Sequence, residues 1–81
     1  MDARQRKKYR ILGLNVAYYR NLRGLSQEQL AERCGLERTT ISKVEQATVG
    51  ASLDTIFSIS DALDVKPEAL FFFREGIKEG K

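Results

Sequence analysis

The chain has 81 residues, of which 42% are hydrophobic, so it holds enough apolar side chains for one small core but not for a second. It contains no histidine and one cysteine, Cys34, which excludes an internal disulfide and any site built on histidine ligands. Because Cys34 falls on the inward side of its helix, we expect a core residue rather than a reactive thiol. No stretch approaches the roughly 18 apolar residues of a membrane span, and we expect a cytoplasmic protein without a membrane partner.

The net charge of +3 is unevenly distributed along the chain. Residues 1–24 carry seven basic side chains and one acidic one, which gives +6, whereas residues 25–81 carry seven basic and ten acidic ones, which gives −3. The basic end suits an anionic partner that lies along one face of the protein. A solvated, frayed terminus is the alternative interpretation.

The first predicted helix runs from about Arg4 or Gln5 to Leu22 and ends before Gly24, where a left-handed residue is favourable. Its apolar side chains form two stripes whose centres lie roughly 110° apart, so we expect the helix to be covered on two sides. The first stripe is Leu12, Val16 and Tyr19, and the second is Ile11, Leu14, Tyr18 and Leu22.

Two short helices are predicted next. Ser26 is placed to cap the second helix, with Gln29 three residues later completing a capping box. This helix stops at Gly35, and the third runs from about Arg38 to Gln46. In the loop that follows, Gly50 is available for an unusual backbone angle.

The last two helices complete an all-α architecture with no predicted strand. Ser52 caps a fourth helix over Leu53–Leu63, and Pro67 opens a fifth with Glu68 in its first turn, which the helix dipole favours. The inward face of the fourth helix is predicted to contain Leu53, Ile56, Ile59, Ser60 and Leu63. We divide the chain into a basic N-terminal arm at 1–10, a folded domain at 11–74 and a fraying tail at 75–81.

The segment from Gln27 to Gln46 carries the strongest signal. Gly35, which can adopt positive φ without strain, separates two sets of residues at inward-facing positions. This pattern is typical of two short helices that cross at a sharp turn. The inward side chains are Leu30, Ala31, Cys34, Leu36, Ile41 and Val44, and the outward ones on the second of these helices are Arg38, Thr39, Ser42 and Lys43. This pattern indicates a helix-turn-helix, whose outward face usually enters the major groove of DNA. An antiparallel hairpin in a helical bundle is the alternative.

The stretch from Leu12 to Leu70 resembles the lambda-repressor-like, or XRE, helix-turn-helix family. The resemblance rests on Leu12-Gly13, Arg20, Gly24-Leu25-Ser26-Gln27, Leu30-Ala31, Gly35-Leu36, Thr40-Ile41-Ser42, Val44-Glu45, Ser52-Leu53 and Ala62-Leu63. It implies a compact five-helix DNA-binding domain, with the motif at helices two and three, that acts as a homodimer on a short, often palindromic operator and controls transcription. The small size is similar to that of restriction–modification controller proteins and compact phage or mobile-element repressors.

The resemblance also implies which side chains contact DNA. It places Gln27 beside the DNA backbone, where its amide donates to a phosphate while supporting a base-reading neighbour. Arg38 and Thr39 fall at the exposed start of the third helix. Arg38 can donate to the O6 and N7 of a guanine, and Thr39 can contact a thymine methyl group. Lys43, one turn further on, reaches a guanine or a phosphate. The alternative for Arg38 and Lys43 is a solvated helix face.

Neighbouring positions on the third helix have more open roles. The resemblance implies that Thr40 and Ser42 contact DNA phosphates or the flanks of the DNA site. The alternative is that their hydroxyls bond to the backbone of their own helix. Two residues depart from the family pattern. Glu37, where Ser or Thr is common, can satisfy the helix N-terminus or accept from a cytosine amine, but it also repels phosphate. Ala47 stands where Gly is frequent, so the exit from this helix can differ.

An ion pair is also implied by the resemblance, which places Arg20 late in the first helix opposite Glu45 late in the third. A guanidinium fits a carboxylate through two parallel hydrogen bonds, and a partly buried pair of this kind would tether the third helix to the first. Two unrelated surface charges are the alternative.

The run Leu70, Phe71, Phe72 and Phe73 is too apolar for the surface of a small monomer. Three consecutive phenylalanines on a helix fan through about 200° and so cannot all face one core. We expect at least one to pack on the second stripe of the first helix. Another is free to meet a second subunit, and the resemblance implies a two-fold dimer through helices four and five. The alternative is that all three phenylalanines pack within one subunit.

Residues 37–46 are neutral overall, so most of the non-specific attraction to DNA is expected from the arm, Arg23 and helix N-termini. The arm cations are Arg4, Arg6, Lys7, Lys8 and Arg10. A protein–protein adaptor or antitoxin-like module with weak or no DNA binding is the alternative function, supported by this neutrality and by Glu37. Nothing in the sequence points to an enzyme, a cofactor, a metal or a small-molecule ligand, since it has no histidine, no glycine-rich phosphate loop and no nucleophile beside a recognisable base.

Overall fold

Capping residues and turn glycines divide the chain into short helices in the computed structural model, which describes residues 2–72. All regular structure in this part is helical, which confirms the predicted all-α class. The elements are a 3-10 turn at Ala3–Gln5 followed by α1 (Arg6–Leu22), α2 (Gln27–Cys34), α3 (Arg38–Gln46), α4 (Leu53–Leu63) and α5 (Pro67–Leu70). The first α-helix begins at Arg6, slightly later than predicted, because Asp2 caps the preceding 3-10 turn by accepting from the backbone N–H of Arg4.

Local hydrogen bonds fix where α2 and α4 begin. The Ser26 hydroxyl accepts from the Gln29 backbone N–H at 3.0 Å, while the Gln29 side-chain oxygen accepts from the Ser26 N–H at 2.8 Å. These two bonds form the predicted capping box. Ser52 accepts from the backbone N–H of Thr55 at 3.1 Å in the same manner. Both serines thus satisfy N–H groups that a helix start leaves without a partner inside the helix.

Left-handed residues end the first four helices. Gly24 (φ 73°) and Gly35 (φ 69°) take this conformation after α1 and α2, as glycine does without strain. Ala47 (φ 57°) and Asp64 (φ 58°) take it after α3 and α4. The expectation of an unusual backbone angle at Gly50 is wrong, because the chain makes its left-handed reversal three residues earlier, at Ala47.

All five helices contribute side chains to one core. Its fully buried large apolar residues are Val16, Leu30, Ile41, Ile56, Ile59, Leu63 and Leu70. The candidate role of Leu70 in a dimer interface is therefore wrong, because α5 turns this side chain into the core and none of it is exposed. Leu53, predicted to face inward, is 61% exposed, because it is the first residue of α4 and stands at the edge of the core.

The helices α1 and α3 approach each other so closely that only glycine fits between them. A Cβ on Gly13 would lie 2.5 Å from the carbonyl oxygen of Val44 and 2.6 Å from that of Glu45. Real Cβ atoms do not come this close to backbone oxygens, so a larger residue would force the two helices apart. Gly13 thereby lets α1 support the C-terminal half of α3.

Polar side chains in α1 and at its C-cap hold the ends of α4 and α5. The buried Asn15 donates from Nδ2 to the carbonyl oxygens of Leu70 and Phe72, both at 2.9 Å. Arg23 donates from Nε to the Leu63 carbonyl at 2.8 Å and from Nη2 to the Asp64 carbonyl at 3.2 Å. Carbonyl groups at a helix C-terminus lack partners within the helix, and these donors supply them. α1 therefore fixes where the C-terminal helices sit.

The second apolar stripe of α1 is not covered as we expected within residues 2–72. Ile11 is buried, but Leu14, Tyr18 and Leu22 are 54%, 49% and 60% exposed. The core packs against the other stripe, on which Leu12 and Val16 are buried and Tyr19 is half-buried. None of the described helices has the length and apolar character needed to cross a bilayer.

Candidate nucleic-acid interface

A tight turn joins α2 to α3 and sets the angle between them. Gly35 reverses the chain in the left-handed conformation, and the Leu36 backbone N–H then donates to the Ala31 carbonyl at 2.9 Å. Ala31 is 3% exposed, and Ile41 at the next crossing point is completely buried. The small residue and the turn glycine thus allow the two helices to cross in contact, as the sequence pattern predicted.

The crossing leaves one face of α3 in solvent. Arg38, Thr39 and Lys43 are exposed on this face, whereas Thr40 and Ser42 are half-buried at its flanks. Gln27, in the first turn of α2, is also half-buried and lies beside the start of α3. The predicted site residues therefore meet on a single surface.

An ion pair ties this surface to the scaffold. Arg20 donates from Nε to Glu45 Oε2 at 2.6 Å and from Nη2 to Glu45 Oε1 at 3.1 Å, which is the two-pronged geometry implied by the resemblance. The two side chains are only 14% and 7% exposed. Arg20 also donates from Nη1 to the Leu25 carbonyl at 2.8 Å, so the pair joins α1, α3 and the segment before α2.

The same carboxylate reaches the outward face through Gln27. Gln27 donates from Nε2 to Glu45 Oε1 at 2.9 Å, and its Oε1 accepts from Arg38 Nη1 at 3.3 Å. This orientation of the amide is the one that chemistry requires, because a carboxylate only accepts and a guanidinium only donates. The hydrogen bonds therefore run without interruption from Arg20 through Glu45 and Gln27 to Arg38. Sequence reasoning found all four residues but did not connect Gln27 to Glu45.

This network changes the charge of the exposed face of α3. The segment 37–46 is neutral when all its charges are counted, but the charge of Glu45 is matched by Arg20 and lies largely buried. The charges left in solvent are those of Glu37, Arg38 and Lys43, which sum to +1. The exposed face is thus weakly basic. The neutral sum over residues 37–46, which supported the adaptor alternative, includes the charge of Glu45, and that charge is buried against Arg20.

The basic arm is less uniformly charged than its sequence suggests. Asp2 accepts from the backbone N–H of Arg4 at 2.8 Å and pairs with its guanidinium at 2.9 Å. The side-chain bond from Arg4, helped by the backbone bond, holds the pKa of Asp2 below its ordinary value. Arg4 therefore brings little net charge to the arm, while Arg6, Lys8 and Arg10 stand in solvent.

Cys34 has the environment of a packing residue. It is half-buried, and its Sγ contacts the carbonyl oxygen of Ser58 at 3.7 Å. Burial raises the pKa of the thiol, which disfavours the reactive thiolate. Within residues 2–72 no group of histidine, cysteine or carboxylate side chains is arranged to hold a metal ion.

A second exposed surface lies on α4 and the residues after α5. Leu53, Phe57 and Phe71 are 61%, 45% and 43% exposed, and we call these three residues the α4 patch. Leu53 and Phe71 also line an open groove of about 630 Å³, together with Tyr9, Leu12 and Ile56 among others. Phe71 therefore shares a groove with Leu12 of the first stripe of α1. Phe73, the last of the predicted interface residues, is outside the described part of the chain.

Two short helices that cross at a tight turn, with one face of the second helix in solvent, form a helix-turn-helix. Residues 16–70 match the helix-turn-helix family HTH_3, and the chain belongs to this family. It is a helix-turn-helix transcriptional regulator of the class that the motifs indicated.

Individual proteins similar to this chain in sequence and structure have more specific descriptions than the family. The chain is 44% identical over 68 residues to the control protein C.SmaI of Serratia marcescens, and the match covers 84% of this chain and 80% of the relative. It is 51% identical over 49 residues to the control protein C.BamHI of Bacillus amyloliquefaciens, with 60% of each chain covered. The crystal structure of the restriction-modification controller protein C.AhdI from Aeromonas hydrophila matches with a TM-score of 0.76 and 36% identity, over 78% of this chain and 96% of that one.

Proposed function

We propose that this chain binds a specific double-stranded DNA site as a homodimer and regulates transcription from it, as a controller-type protein of the bacterial cytoplasm. The observation that supports this most is the line of hydrogen bonds that ends at Arg38 on the outward face of α3. It acts by occupying DNA and not by catalysis. The operator is short and palindromic, because a two-fold dimer presents the same helix to each half-site.

Arg38 is the principal base-reading residue in this proposal. A guanidinium can donate two hydrogen bonds to the O6 and N7 of guanine, a contact that discriminates against other bases by about 1–3 kcal/mol. The bond from Gln27 restricts Arg38 before DNA arrives, so less conformational freedom is lost on binding. Thr39 contacts a thymine methyl, and Lys43 contacts a guanine or a phosphate.

Phosphate contacts flank the base-reading residues. Thr40 and Ser42 lie half-buried at the sides of the face, and Gln27 keeps one amide hydrogen for a phosphate after donating the other to Glu45. Exposed arm cations add longer-range attraction. If about four phosphates are neutralised per subunit, the plot of log affinity against log salt concentration has a slope near −3 to −4 per subunit.

The α4 patch is the proposed dimer interface. Leu53 and Phe57 are four residues apart on α4 and so share one helical face, and Phe71, which lines the same groove as Leu53, adds a third large apolar side chain. Such side chains are typical of the buried centre of a protein–protein interface. A two-fold dimer here directs the two copies of α3 toward half-sites about 34 Å apart.

One experiment tests binding and symmetry together. The protein is used to select duplexes from a random DNA library at low salt, and the enriched duplexes are sequenced. Enrichment of a motif with two inverted half-sites is the expected result. If no motif is enriched and mixed duplex DNA is not bound at low salt, DNA recognition is contradicted and a protein–protein adaptor on the same fold is favoured.

A further inference from the structure

Glu37 occupies the N-cap position of α3 but does not cap the helix. Its backbone is extended (φ −87°, ψ 151°), as an N-cap requires, yet its carboxylate accepts no hydrogen bond from the N–H groups of the first turn. Ser26 and Ser52 do make this bond at the starts of α2 and α4. The Glu37 carboxylate is therefore not engaged by a capping hydrogen bond at the N-terminus of α3.

No ion pair accounts for Glu37 either. The adjacent Arg38 donates to Gln27 instead, and no hydrogen bond or ion pair within residues 2–72 engages the Glu37 carboxylate. Glu45, the other acid of the segment, is buried against Arg20 and Gln27. Glu37 is thus an exposed acceptor at the leading end of the helix that enters the groove in the proposed function.

Only one base suits such an acceptor in the major groove. Cytosine presents the N4 amine, a donor, whereas guanine presents two acceptors and thymine presents an acceptor and a methyl group. Adenine presents a donor beside the acceptor N7, which opposes a carboxylate. An ionised glutamate accepts and cannot donate, so it matches the cytosine edge and is repelled by the guanine edge.

We infer that Glu37 is a specificity-determining residue that accepts a hydrogen bond from the N4 amine of a cytosine in each half-site. This inference rests on the proposed function. Glu37 is the extended N-cap residue and Arg38 is the first residue of α3, so their side chains leave the backbone in different directions and contact different bases. The pair therefore specifies two bases of the half-site, a cytosine through Glu37 and a guanine through Arg38.

The test compares selections from a random duplex library by the parent, Glu37→Gln and a control. A glutamine amide both donates and accepts, which fits the N6 and N7 of adenine. Glu37→Gln is expected to replace cytosine by adenine at one position of each half-site, and to lower the preference for cytosine there by about tenfold. The preference for guanine assigned to Arg38 stays unchanged. Glu32→Gln, which removes an exposed carboxylate from the last turn of α2, is expected to leave the motif as it is.

The outcomes separate this inference from the proposed function. If the parent enriches a motif and Glu37→Gln enriches the same motif with uniformly higher affinity, Glu37 is a repulsive charge without a role in base reading, and only the inference fails. If the parent enriches no motif, both fail. Thermal melting of each variant verifies the fold, which the substitution is not expected to disturb because the Glu37 side chain makes no cap bond.

Discussion

The two ends of this domain differ in how far their side chains find partners within one subunit. At the α2–α3 end, the charged and amide groups of Arg20, Glu45 and Gln27 bond to one another and to the backbone within a single subunit. On α4, Phe57 is 45% exposed, and Leu53, one turn earlier, is 61% exposed. The first end is complete within one subunit, whereas the second leaves large apolar side chains exposed within residues 2–72. In the proposed function, one subunit builds the DNA-reading unit, and dimerisation sets the spacing of two such units.

Removing one partner of the buried ion pair is expected to have the largest effect. Glu45→Gln keeps the shape of the side chain but leaves Arg20 charged and only 14% exposed, without its carboxylate. Breaking such a pair destabilises a protein by about 3–5 kcal/mol. Urea unfolding at fixed protein concentration measures this, with Glu28→Gln, an exposed acid in the first turn of α2, as the matched control. Equal unfolding midpoints for Glu45→Gln and the parent would show that the pair stabilises nothing.

A charge on the α4 patch is expected to break the dimer and leave the DNA-reading unit folded. Phe57→Asp places a carboxylate in the proposed interface, which should weaken dimerisation by about 2 kcal/mol, or roughly 30-fold in the dissociation constant. Sedimentation equilibrium at micromolar concentrations measures the change. Leu22→Asp is the matched control, because Leu22 is also an exposed apolar residue but lies on α1. A parent protein that sediments only as a 9.2 kDa species would remove the dimer from the proposal.

The smallest expected effect is a gain in stability at the end of α4. Asp64 is exposed and left-handed (φ 58°), a conformation that glycine adopts with less strain. Asp64→Gly is expected to stabilise the fold by about 0.5–1 kcal/mol, because the bond from Arg23 goes to the backbone carbonyl and survives the change. Asp64→Ala retains the strain and serves as the control. Thermal melting compares the two, and a lower melting temperature for Asp64→Gly would show that its side chain stabilises this turn.

Features that depend on neighbouring residues could be predicted from the sequence. The Ser26–Gln29 capping box and the left-handed turn at Gly35 each involve groups within a few positions of one another, so residue type and spacing define them. The crossing of α2 and α3 could be predicted because the inward apolar positions and Gly35 lie close together in the sequence. This is why the sequence predicted the helix-turn-helix and the exposure of Arg38, Thr39 and Lys43 on α3.

Features that depend on distant partners could not be predicted in the same way. Asn15 stands among apolar residues in the sequence of α1, and its bonds go to carbonyls 55 and 57 residues away. The need for glycine at position 13 arises from the backbone of α3, about thirty residues later, and the burial of Leu70 depends on how α5 folds back onto the core. The link from Gln27 to Glu45 likewise required the folded arrangement, although both residues stood out individually.

The most direct test of whether Arg38 reads a base is to compare the affinities of the protein for two duplexes that differ at the assigned guanine. The parent and Arg38→Ala are titrated by fluorescence anisotropy against the selected operator and against the same operator with the Arg38-assigned guanine replaced in each half-site. We predict that the parent binds the altered duplex at least about tenfold more weakly, while Arg38→Ala binds both duplexes with the same affinity. Arg33→Ala, which removes an exposed positive charge from α2, should discriminate as the parent does. Unchanged discrimination by Arg38→Ala would contradict the assignment of Arg38 as the guanine-reading residue.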